Sequence, residues 1–148
     1  MTIRQATRSD MALLHAVETA VFPDTVYPAF FFRQAFDLWP ELLHVAEDES
    51  GTVSGYAMGA ASSVPGVAWL LSMAVHPAMQ GKGAGRALLA SMFDAMRAKN
   101  FTAVQLTVDP ANPVLRLYKT SGFREIQQED DYFQPGDRRI VMQRIIDV

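Results

Sequence analysis

Residues 71–89, LSMAVHPAMQGKGAGRALL, combine three glycines with two cations where an apolar run meets an apolar-periodic segment. Gly81, Gly83 and Gly85 fall within five positions, and Lys82 and Arg86 lie among and beside them. A glycine costs roughly 0.5–1 kcal/mol relative to alanine in regular structure. It also lets a ligand come close to the backbone, and the two cations indicate that this ligand is negatively charged. We therefore predict an anion-binding loop between a strand and a helix.

Three glycine-rich patterns that bind phosphate ahead of a helix can be compared with this loop. The P-loop pattern fails because no serine or threonine follows a second lysine, and the dinucleotide pattern G-x-G-x-x-G/A fails in both frames. The pattern Q/R-x-x-G-x-G/A is met in register by Gln80, Gly83 and Gly85. Amides of residues 81–86 can then converge on a pyrophosphate at a helix N-terminus, where the helix dipole favours negative charge. The alternative is a turn that serves only tight strand–helix packing.

The composition is typical of a globular protein, with 148 residues of which 49% are hydrophobic and 20% charged. This length suits one domain, residues 1–148, with a substantial core. The absence of cysteine excludes disulfides, a thiol nucleophile and cysteine metal sites, and fits a reducing compartment. The N-terminus lacks the apolar core of a signal peptide, and the apolar run VAWLLSMAV is too short to span a bilayer. We expect a soluble cytoplasmic protein without a membrane partner.

Charge is distributed unevenly along the chain. Residues 1–81 carry three Lys/Arg against eight Asp/Glu (net −5), residues 82–124 seven against two (net +5), and residues 125–148 three against six (net −3). The overall charge of −3 argues against a nucleic-acid partner. The basic segment coincides with the glycine-rich loop, so it suits an anionic ligand, and the acidic flanks suit a cationic one.

Hydrophobic periodicity and turn residues predict eleven elements in the order βααβββαβαββ, an α/β (α+β) fold with a single mixed central sheet flanked by helices. Strands are predicted at TIRQAT (2–7), LLHVAED (42–48), TVSGYAMGAAS (52–62), GVAWLLSMAV (66–75), TAVQLTV (102–108), FREIQQED (123–130) and RRIVMQRI (138–145). Helices are predicted from an N-cap at Ser9-Asp10 to about Ala20, over AFFFRQAFDL (29–38), from the glycine-rich loop to Asn100, and over PVLRLYKTSGF (113–123).

Two stretches together resemble the Gcn5-related N-acetyltransferase (GNAT) superfamily. LSMAVHPAMQGKGAGRALL is similar to its acetyl-CoA-binding motif, and NPVLRLYKTSGF (112–123) is similar to its asparagine-to-tyrosine-to-Gly-Phe signature. The predicted element order is also that of the family, over essentially the whole chain. One spacing departs from the commonest family pattern, because Asn112 lies six residues before Tyr118 and Ala111 occupies the seventh position.

The resemblance implies acetyl-CoA as cosubstrate, no metal, and direct transfer of the acetyl group to an amine. It implies that the strands before the loop and after its helix splay apart, so that the pantetheine arm fills the gap and the Met73 amide polarises the thioester carbonyl. Tyr118 becomes the general acid that protonates the leaving thiolate; the alternative is packing beside Phe123. The residues expected to contact the cofactor are Met73, Ala74, Val75, Gln80, Gly81, Lys82, Gly83, Ala84, Gly85, Arg86 and Asn112.

The sequence leaves the general base open. His15, His44 and His76 are each expected to have a structural role. Asp109 and Ser72 lie close to the expected cleft but cannot be ranked. A chain of water molecules serving an exposed amine would need no dedicated base.

The acceptor is expected to lie against the first two helices, whose joint VFPDTVYPAFFF is aromatic. Tyr27 and Phe30 would suit a pocket wall for an apolar amine, whereas Phe31 and Phe32 are expected in the core. Acidic residues around these helices favour a cationic acceptor: Glu18, Asp24, Asp37 and Glu41.

The first interpretation is therefore an acetyltransferase of a small, cationic amine. A protein N-terminal or lysine acetyltransferase and a catalytically silent acyl-CoA sensor remain alternatives. Acceptor identity, acyl-chain preference and oligomeric state, including a homodimer, stay open.

Overall fold

The computed structural model describes residues 1–22 and 27–146. These residues form a single mixed sheet flanked by helices, in the predicted order βααβββαβαββ. The strands are β1 (Thr2–Gln5), β2 (Leu43–Glu47), β3 (Val53–Ala61), β4 (Val67–Val75), β5 (Ala103–Val108), β6 (Arg124–Glu129) and β7 (Arg139–Ile145). The helices are α1 (Met11–Val21), α2 (Ala29–Leu38), α3 (Ala84–Ala98) and α4 (Leu115–Thr120).

The strands lie in the order β1-β2-β3-β4-β5-β7-β6. Neighbouring strands run antiparallel except β4 and β5, which are parallel. Parallel neighbours need a long crossover connection, which the glycine-rich loop and α3 supply. The loop therefore begins at the carboxyl end of β4, the end at which ligands bind in sheets with helical crossovers.

Apolar residues on the two faces of the sheet form two cores. On one face, α3 buries the positions predicted from its periodicity: Leu88, Leu89, Met92, Phe93 and Met96. On the other face, Leu14 of α1 and Phe32 of α2 share a core with Tyr56 of β3. The Phe32 and Tyr56 rings meet edge to face with their centroids 5.4 Å apart. Helices on both faces thus hold β4 from either side.

The first helix begins differently from the prediction. A 3-10 turn, Arg8–Asp10, precedes α1, and Thr7 is its N-cap. The Asp10 carboxylate accepts hydrogen bonds from the Thr7 backbone N–H at 2.7 Å and from the Arg4 guanidinium at 2.8 and 3.0 Å. Asp10 is the N-cap of α1, as predicted, but its carboxylate makes no capping hydrogen bond to α1 because it closes the turn onto Thr7 and ties it to β1.

We expect Asp10→Asn to lower the free energy of unfolding by about 1.5–3 kcal/mol at pH 7, the range for hydrogen bonds to charged groups. Hydrogen bonds from Arg4 hold the pKa of Asp10 below its ordinary value. Its stabilisation is therefore present above the unfolded pKa of about 3.9 and is lost as the pH falls through the lower, folded value. Urea unfolding of both proteins should show a difference that narrows in acid. Asp94→Asn, which removes an exposed i,i+3 pair with Arg97, should change stability little; an equal loss there would contradict the assignment.

Candidate active site

Strands β4 and β5 are paired only near their beginnings. The parallel ladder joins Val67–Trp69 to Ala103–Gln105, although β4 continues to Val75 and β5 to Val108. The strands therefore separate toward their carboxyl ends, as the family resemblance implies. Backbone groups along such a gap need other partners. A chain of amides, such as pantetheine, can supply them.

Met73 and Val75 direct their backbone groups into this gap. The His76 N–H donates to the Ser54 carbonyl of β3 at 2.7 Å. Hydrogen-bonded and non-hydrogen-bonded pairs alternate along an antiparallel ladder, so Ala74 is bonded to β3, whereas Met73 and Val75 face away from it. The predicted amide contacts of Met73 and Val75 are thus available to a ligand. The sheet already uses the Ala74 amide, so the predicted contact of Ala74 with the cofactor stays a prediction for its other atoms.

The glycine-rich loop presents backbone without side chains above it. Gly81 has a φ of +79° and Gly83 a φ of +85°, and a Cβ on either residue would meet no atom within 4 Å. Gly83 is the N-cap of α3, so the amides of the helix's first turn point toward this open space. Gln80 positions the loop by donating from Nε2 to the Val75 carbonyl at 3.0 Å. Open space, free amides and the positive helix end fit a pyrophosphate.

Cations near the loop have no acidic partners in the described part of the chain. Within segment 82–124, Arg97 and Lys99 pair with Asp94 and Glu41. The remaining cations of this segment form no ion pair among residues 1–22 and 27–146: Lys82, Arg86, Arg116, Lys119 and Arg124. Their charge is available to an anionic ligand, as the sequence predicts.

The structure brings Tyr118 into the same region. Gly85 on α3 packs closely against α4, since a Cβ there would lie 2.9 Å from Leu117 Cδ2 and 3.8 Å from Met73 Cε. Tyr118 follows Leu117, is 6% exposed, and meets the Phe123 ring with centroids 5.6 Å apart. Burial raises its pKa, so the hydroxyl stays protonated at neutral pH. Both predicted roles, proton donor and packing residue, are compatible with this position.

Tyr27 lies on the other side of β4. β4 carries a bulge at Leu71, between the pairs Gly59↔Leu70 and Met58↔Ser72. The Tyr27 hydroxyl donates to the Leu71 carbonyl at 3.3 Å, and its ring packs on Phe31 with centroids 4.7 Å apart. Tyr27 therefore sits at the sheet beside the widening gap.

The other aromatic residues of this joint divide between surface and core. Phe30 is 65% exposed, so its predicted place in a pocket wall depends on a bound acceptor reaching the first turn of α2. Phe32 is fully buried, as expected, and Phe31 is half-buried. Residues 23–26, including Asp24, lie outside the described residues.

The connection between β6 and β7, which the sequence analysis did not include, brings charged and aromatic groups near Tyr27. Burial raises the pKa of Tyr27, Glu18 and Tyr132 raise it further, and Arg139 lowers it; this places Tyr132 and Arg139 near Tyr27. Arg139 lies 5.0 Å from the centroid of the exposed Phe133 ring. The sequence feature that could have drawn attention to this connection is a pair of aromatic residues within a polar segment, DYFQPGD.

A comparison with family models matches residues 10–123 to the Acetyltransferase (GNAT) family. The chain belongs to the GNAT family. It is 28% identical over 158 residues to an N-alpha-acetyltransferase of Sulfolobus acidocaldarius, covering 95% of this chain and 89% of that one. It is 32% identical over 139 residues to an L-methionine sulfoximine/L-methionine sulfone acetyltransferase of Salmonella typhimurium, covering 83% and 80%.

A solved structure has the same fold. The structure of Ard1 from Thermoplasma volcanium superposes with a TM-score of 0.89 at 24% identity, covering 98% of this chain and 97% of that one. Family membership establishes an acetyl-CoA-dependent N-acetyltransferase. The gap and loop of this GNAT chain are where its own residues fit that cosubstrate.

Asn112 and Asp109 of the GNAT chain both stabilise the turn that leads into α4. Asp109 accepts from the Ala111 N–H at 2.9 Å, and Asn112 Oδ1 accepts from the Val114 N–H at 3.0 Å. The Asn112 side-chain NH2 group makes no hydrogen bond to residues 1–22 or 27–146, and its predicted cofactor contact is still a prediction. Asp109 is exposed and is engaged in its own turn.

The histidines of the GNAT chain are held in structural contacts. His44 contacts Ser91 Oγ through Nδ1 and the Glu41 carbonyl through Nε2, and burial lowers its pKa. His76 Nδ1 accepts from the Ala78 N–H at 3.1 Å. His15 meets the edge of Phe32, with ring centroids 6.2 Å apart. None of these contacts directs an imidazole to the gap.

The acidic residues expected around the acceptor do not form one cluster. Asp37 pairs with Arg33 on the surface of α2. Glu41 pairs with Lys99, which lies beyond the C-terminal end of α3. The glycine-rich loop lies at the other end of this helix, which has 15 residues and is therefore about 22 Å long. For Asp37 and Glu41 the prediction is wrong, because each is neutralised elsewhere. Glu18 alone, of the described three, lies at the site, and it is 2% exposed.

Among the helices within residues 1–22 and 27–146, none has the length and apolar composition of a membrane-spanning helix. Nor do three or more metal-binding side chains come close enough together there to hold a metal ion.

Proposed function

We propose that this GNAT enzyme acetylates the α-amino group at the N-terminus of a peptide or protein. The observation that carries the proposal is on the acceptor side of the gap, where Tyr27 donates to the Leu71 carbonyl of β4 and lies close enough to Tyr132 and Arg139 of the β6–β7 connection for their charges to shift its pKa. The α1–α2 joint and this connection are separate segments of chain. An extended peptide can lie between them and enter from the open end with its amino group first.

The acidic groups near Tyr27 already have partners within the protein. Asp137 pairs with Arg139 at 3.0 Å, and Glu18 accepts hydrogen bonds from protein donors. In the same β6–β7 connection Asp130 pairs with Arg138, and Asp131 accepts from the Gly136 N–H. A peptide that brings a single ammonium group is therefore a sufficient acceptor, without the further ammonium groups of a polyamine or aminoglycoside.

The chemistry of the amine points the same way. Only the neutral amine attacks the thioester. An α-amino group has a pKa of about 7.7–8.0, against about 10.4 for lysine. At neutral pH the reactive fraction of an N-terminus is therefore roughly two orders of magnitude larger than that of a lysine side chain.

The relatives support an α-amino acceptor in two forms. The Sulfolobus relative is named an N-alpha-acetyltransferase, whereas the Salmonella relative, at higher identity, acts by its name on free amino-acid derivatives. A free amino acid is therefore the second candidate. The small cationic amine first expected from the sequence remains a third.

The testing experiment is a competition at pH 7.5 among four acceptors, with free CoA release and mass spectrometry as readouts. Two of the acceptors are peptides: short peptides with a free N-terminus, and the same peptides with a blocked N-terminus and a lysine side chain. The other two are small molecules, methionine sulfone and phenylethylamine. We expect the free-N-terminus peptides to have the highest kcat/KM by at least about tenfold. A preference for methionine sulfone would transfer the assignment to the second candidate, and a preference for phenylethylamine or the blocked peptides would overturn the proposal.

A further inference from the structure

Glu18 is a buried carboxylate that no family motif accounts for. It projects from α1 toward the middle of the sheet, where Oε2 accepts from the Tyr27 N–H at 3.0 Å. Oε1 accepts from the Tyr56 hydroxyl at 2.5 Å, and the Ser72 hydroxyl lies 3.4 Å from the same oxygen. Anchoring the α1–α2 joint needs only Oε2. The other oxygen faces two hydroxyls, which a structural anchor does not require.

The hydrogen-bond directions within this cluster can be deduced. A carboxylate only accepts, so the single Tyr56 proton points to Glu18. The carboxylate and burial raise the pKa of Tyr56, which keeps that proton in place. Since the Tyr56 proton is used, Ser72 is the donor within the cluster, to Tyr56 Oη at 2.7 Å or to Glu18 Oε1 at 3.4 Å, and the contact with Tyr56 is the shorter. The Ser72 oxygen is then left with a lone pair to accept from outside the cluster.

Ser72 is also the member that reaches the site. Glu18 and Tyr56 are buried, whereas Ser72 is half-buried. Ser72 immediately precedes Met73, whose amide faces the gap between β4 and β5. It follows the Leu71 bulge, whose carbonyl is held by Tyr27. The hydroxyl chain therefore begins beside the predicted thioester position and ends at a buried carboxylate.

We propose that Ser72, Tyr56 and Glu18 form a proton relay that deprotonates the acceptor ammonium. The ammonium proton moves to Ser72 Oγ while Ser72 passes its own proton to Tyr56 and Tyr56 passes its proton to Glu18. Each hydroxyl loses one proton and gains one, and Glu18 becomes a neutral acid. The neutral amine then forms the N–C bond as the C–S bond breaks. The new amide nitrogen loses its second proton and the leaving thiolate gains one, so these two transfers cancel. Glu18 later returns its proton to solvent, which balances the release of one proton per ammonium acetylated.

Other titratable or charged groups face this cluster from neighbouring elements. They come from the α1–α2 joint and from the β6–β7 connection: Tyr27, Tyr132, Arg139 and, paired with it, Asp137. Of these four groups only Asp137 is a carboxylate, and it already pairs with Arg139 at 3.0 Å. Among the described groups, Glu18 is thus the one in position to take up the proton.

The inference rests on the proposed function only for its acceptor, a peptide with a free N-terminus. The test measures kcat/KM for that peptide from about pH 6 to about pH 10 in Ser72→Ala and Tyr56→Phe, at saturating acetyl-CoA. Both variants should lose about 10²-fold at pH 7, within the usual range for a general base. The loss should shrink as the pH rises past about 8, because solution then supplies the neutral α-amine. Acetyl-CoA affinity should not change.

Ser54→Ala is the matched control. Ser54 is a buried serine of β3 whose hydroxyl donates to the Ala46 carbonyl at 3.3 Å, outside the cluster. This variant should keep the wild-type pH profile. A profile in Ser72→Ala that is unchanged, or lowered by the same factor at every pH, would overturn the relay and leave these residues a structural role.

Glu18→Gln is a second test of the relay, because glutamine keeps a carbonyl oxygen that can accept hydrogen bonds but cannot take up a proton. We expect its profile to match Tyr56→Phe if its urea midpoint shows a folded protein. Failure of the proposed function can be told apart from failure of the relay, because the wild-type enzyme itself would then prefer an acceptor other than the peptide. If the wild type prefers another amine, the same profiles are measured with that amine, and the recovery should move to its pKa. A wild type that acetylates no amine would overturn both.

Discussion

Gly83→Glu is expected to weaken acetyl-CoA binding by at least about 100-fold while the protein stays folded. The new carboxylate would stand in the open space above Gly83, where the structure shows no atom within 4 Å of a Cβ. It would repel the pyrophosphate and block the first-turn amides of α3. Losing two hydrogen bonds to a charged group, at about 1.5–3 kcal/mol each, accounts for such a factor. Calorimetric titration of the variant with acetyl-CoA measures it.

Backbone strain must be separated from this effect. A side chain at a φ of +85° costs about 1–2 kcal/mol whatever its charge. Gly51, in the turn between β2 and β3, has a φ of +83° and equally open space, so Gly51→Glu introduces the same strain away from the loop. It should lose the same stability as Gly83→Glu but bind acetyl-CoA normally. Equal affinity in the two variants would refute the placement of the pyrophosphate at Gly83.

A charge series at Gly83 separates repulsion from simple blocking. Gly83→Lys has a side chain of comparable length and the opposite charge. If charge dominates, it should bind acetyl-CoA better than Gly83→Glu by at least about tenfold, one decade corresponding to 1.4 kcal/mol. The difference should also shrink as salt is added, since the loop is exposed and the charges are screened.

The fold could be predicted from sequence because its signals are local. Each signal lies within a few residues of the element that it predicts. Examples are the alternation in β3 and β4, the one-and-four spacing in α3, and the prolines near residues 23 and 40. The loop was predictable for the same reason, since Gly81, Gly83 and the helix start are neighbours in the chain. The limits of α2, Ala29–Leu38, agree with the prediction because Pro28 and the segment before Pro40 bound that helix.

The acceptor side was less predictable because its residues meet only through the fold. Glu18, Tyr56 and Ser72 are 38 and 16 residues apart along the chain. No spacing rule links these three residues. The sequence therefore predicted several acidic residues around the acceptor, whereas the described residues place one hydrogen-bonded carboxylate, Glu18, at the site. Asp37 and Glu41 were misjudged because their partners, Arg33 and Lys99, neutralise them. Nor could the sequence show which amides of β4 face the gap, because the direction of an amide depends on strand register, which is set by pairing with β3.

The second large effect is expected for Tyr118→Phe, which should lower kcat by about 10²–10⁴-fold, the range for general acid catalysis. Tyr118 is buried on α4 beside the loop, and burial raises its pKa. A thiol has a pKa of about 8.5, below that of the Tyr118 hydroxyl, so full proton transfer to sulfur is unfavourable and the hydroxyl acts chiefly by donating a hydrogen bond. The hydroxyl hydrogen bond to sulfur therefore strengthens as negative charge develops. Losing this hydrogen bond therefore raises the free energy of the transition state and hardly changes that of the bound ground state.

Tyr118→Phe should accordingly bind acetyl-CoA with nearly wild-type affinity. Its stability should also change little, because the ring keeps its edge contact with Phe123 and the hydroxyl makes no hydrogen bond to another described residue. Pre-steady-state measurement of CoA release isolates the chemical step from product release. Wild-type kcat under those conditions would reduce Tyr118 to a packing residue of α4. A loss that disappears at high pH, as expected for Ser72→Ala, would instead place Tyr118 on the amine side of the reaction, because acid catalysis at sulfur does not depend on how the amine lost its proton.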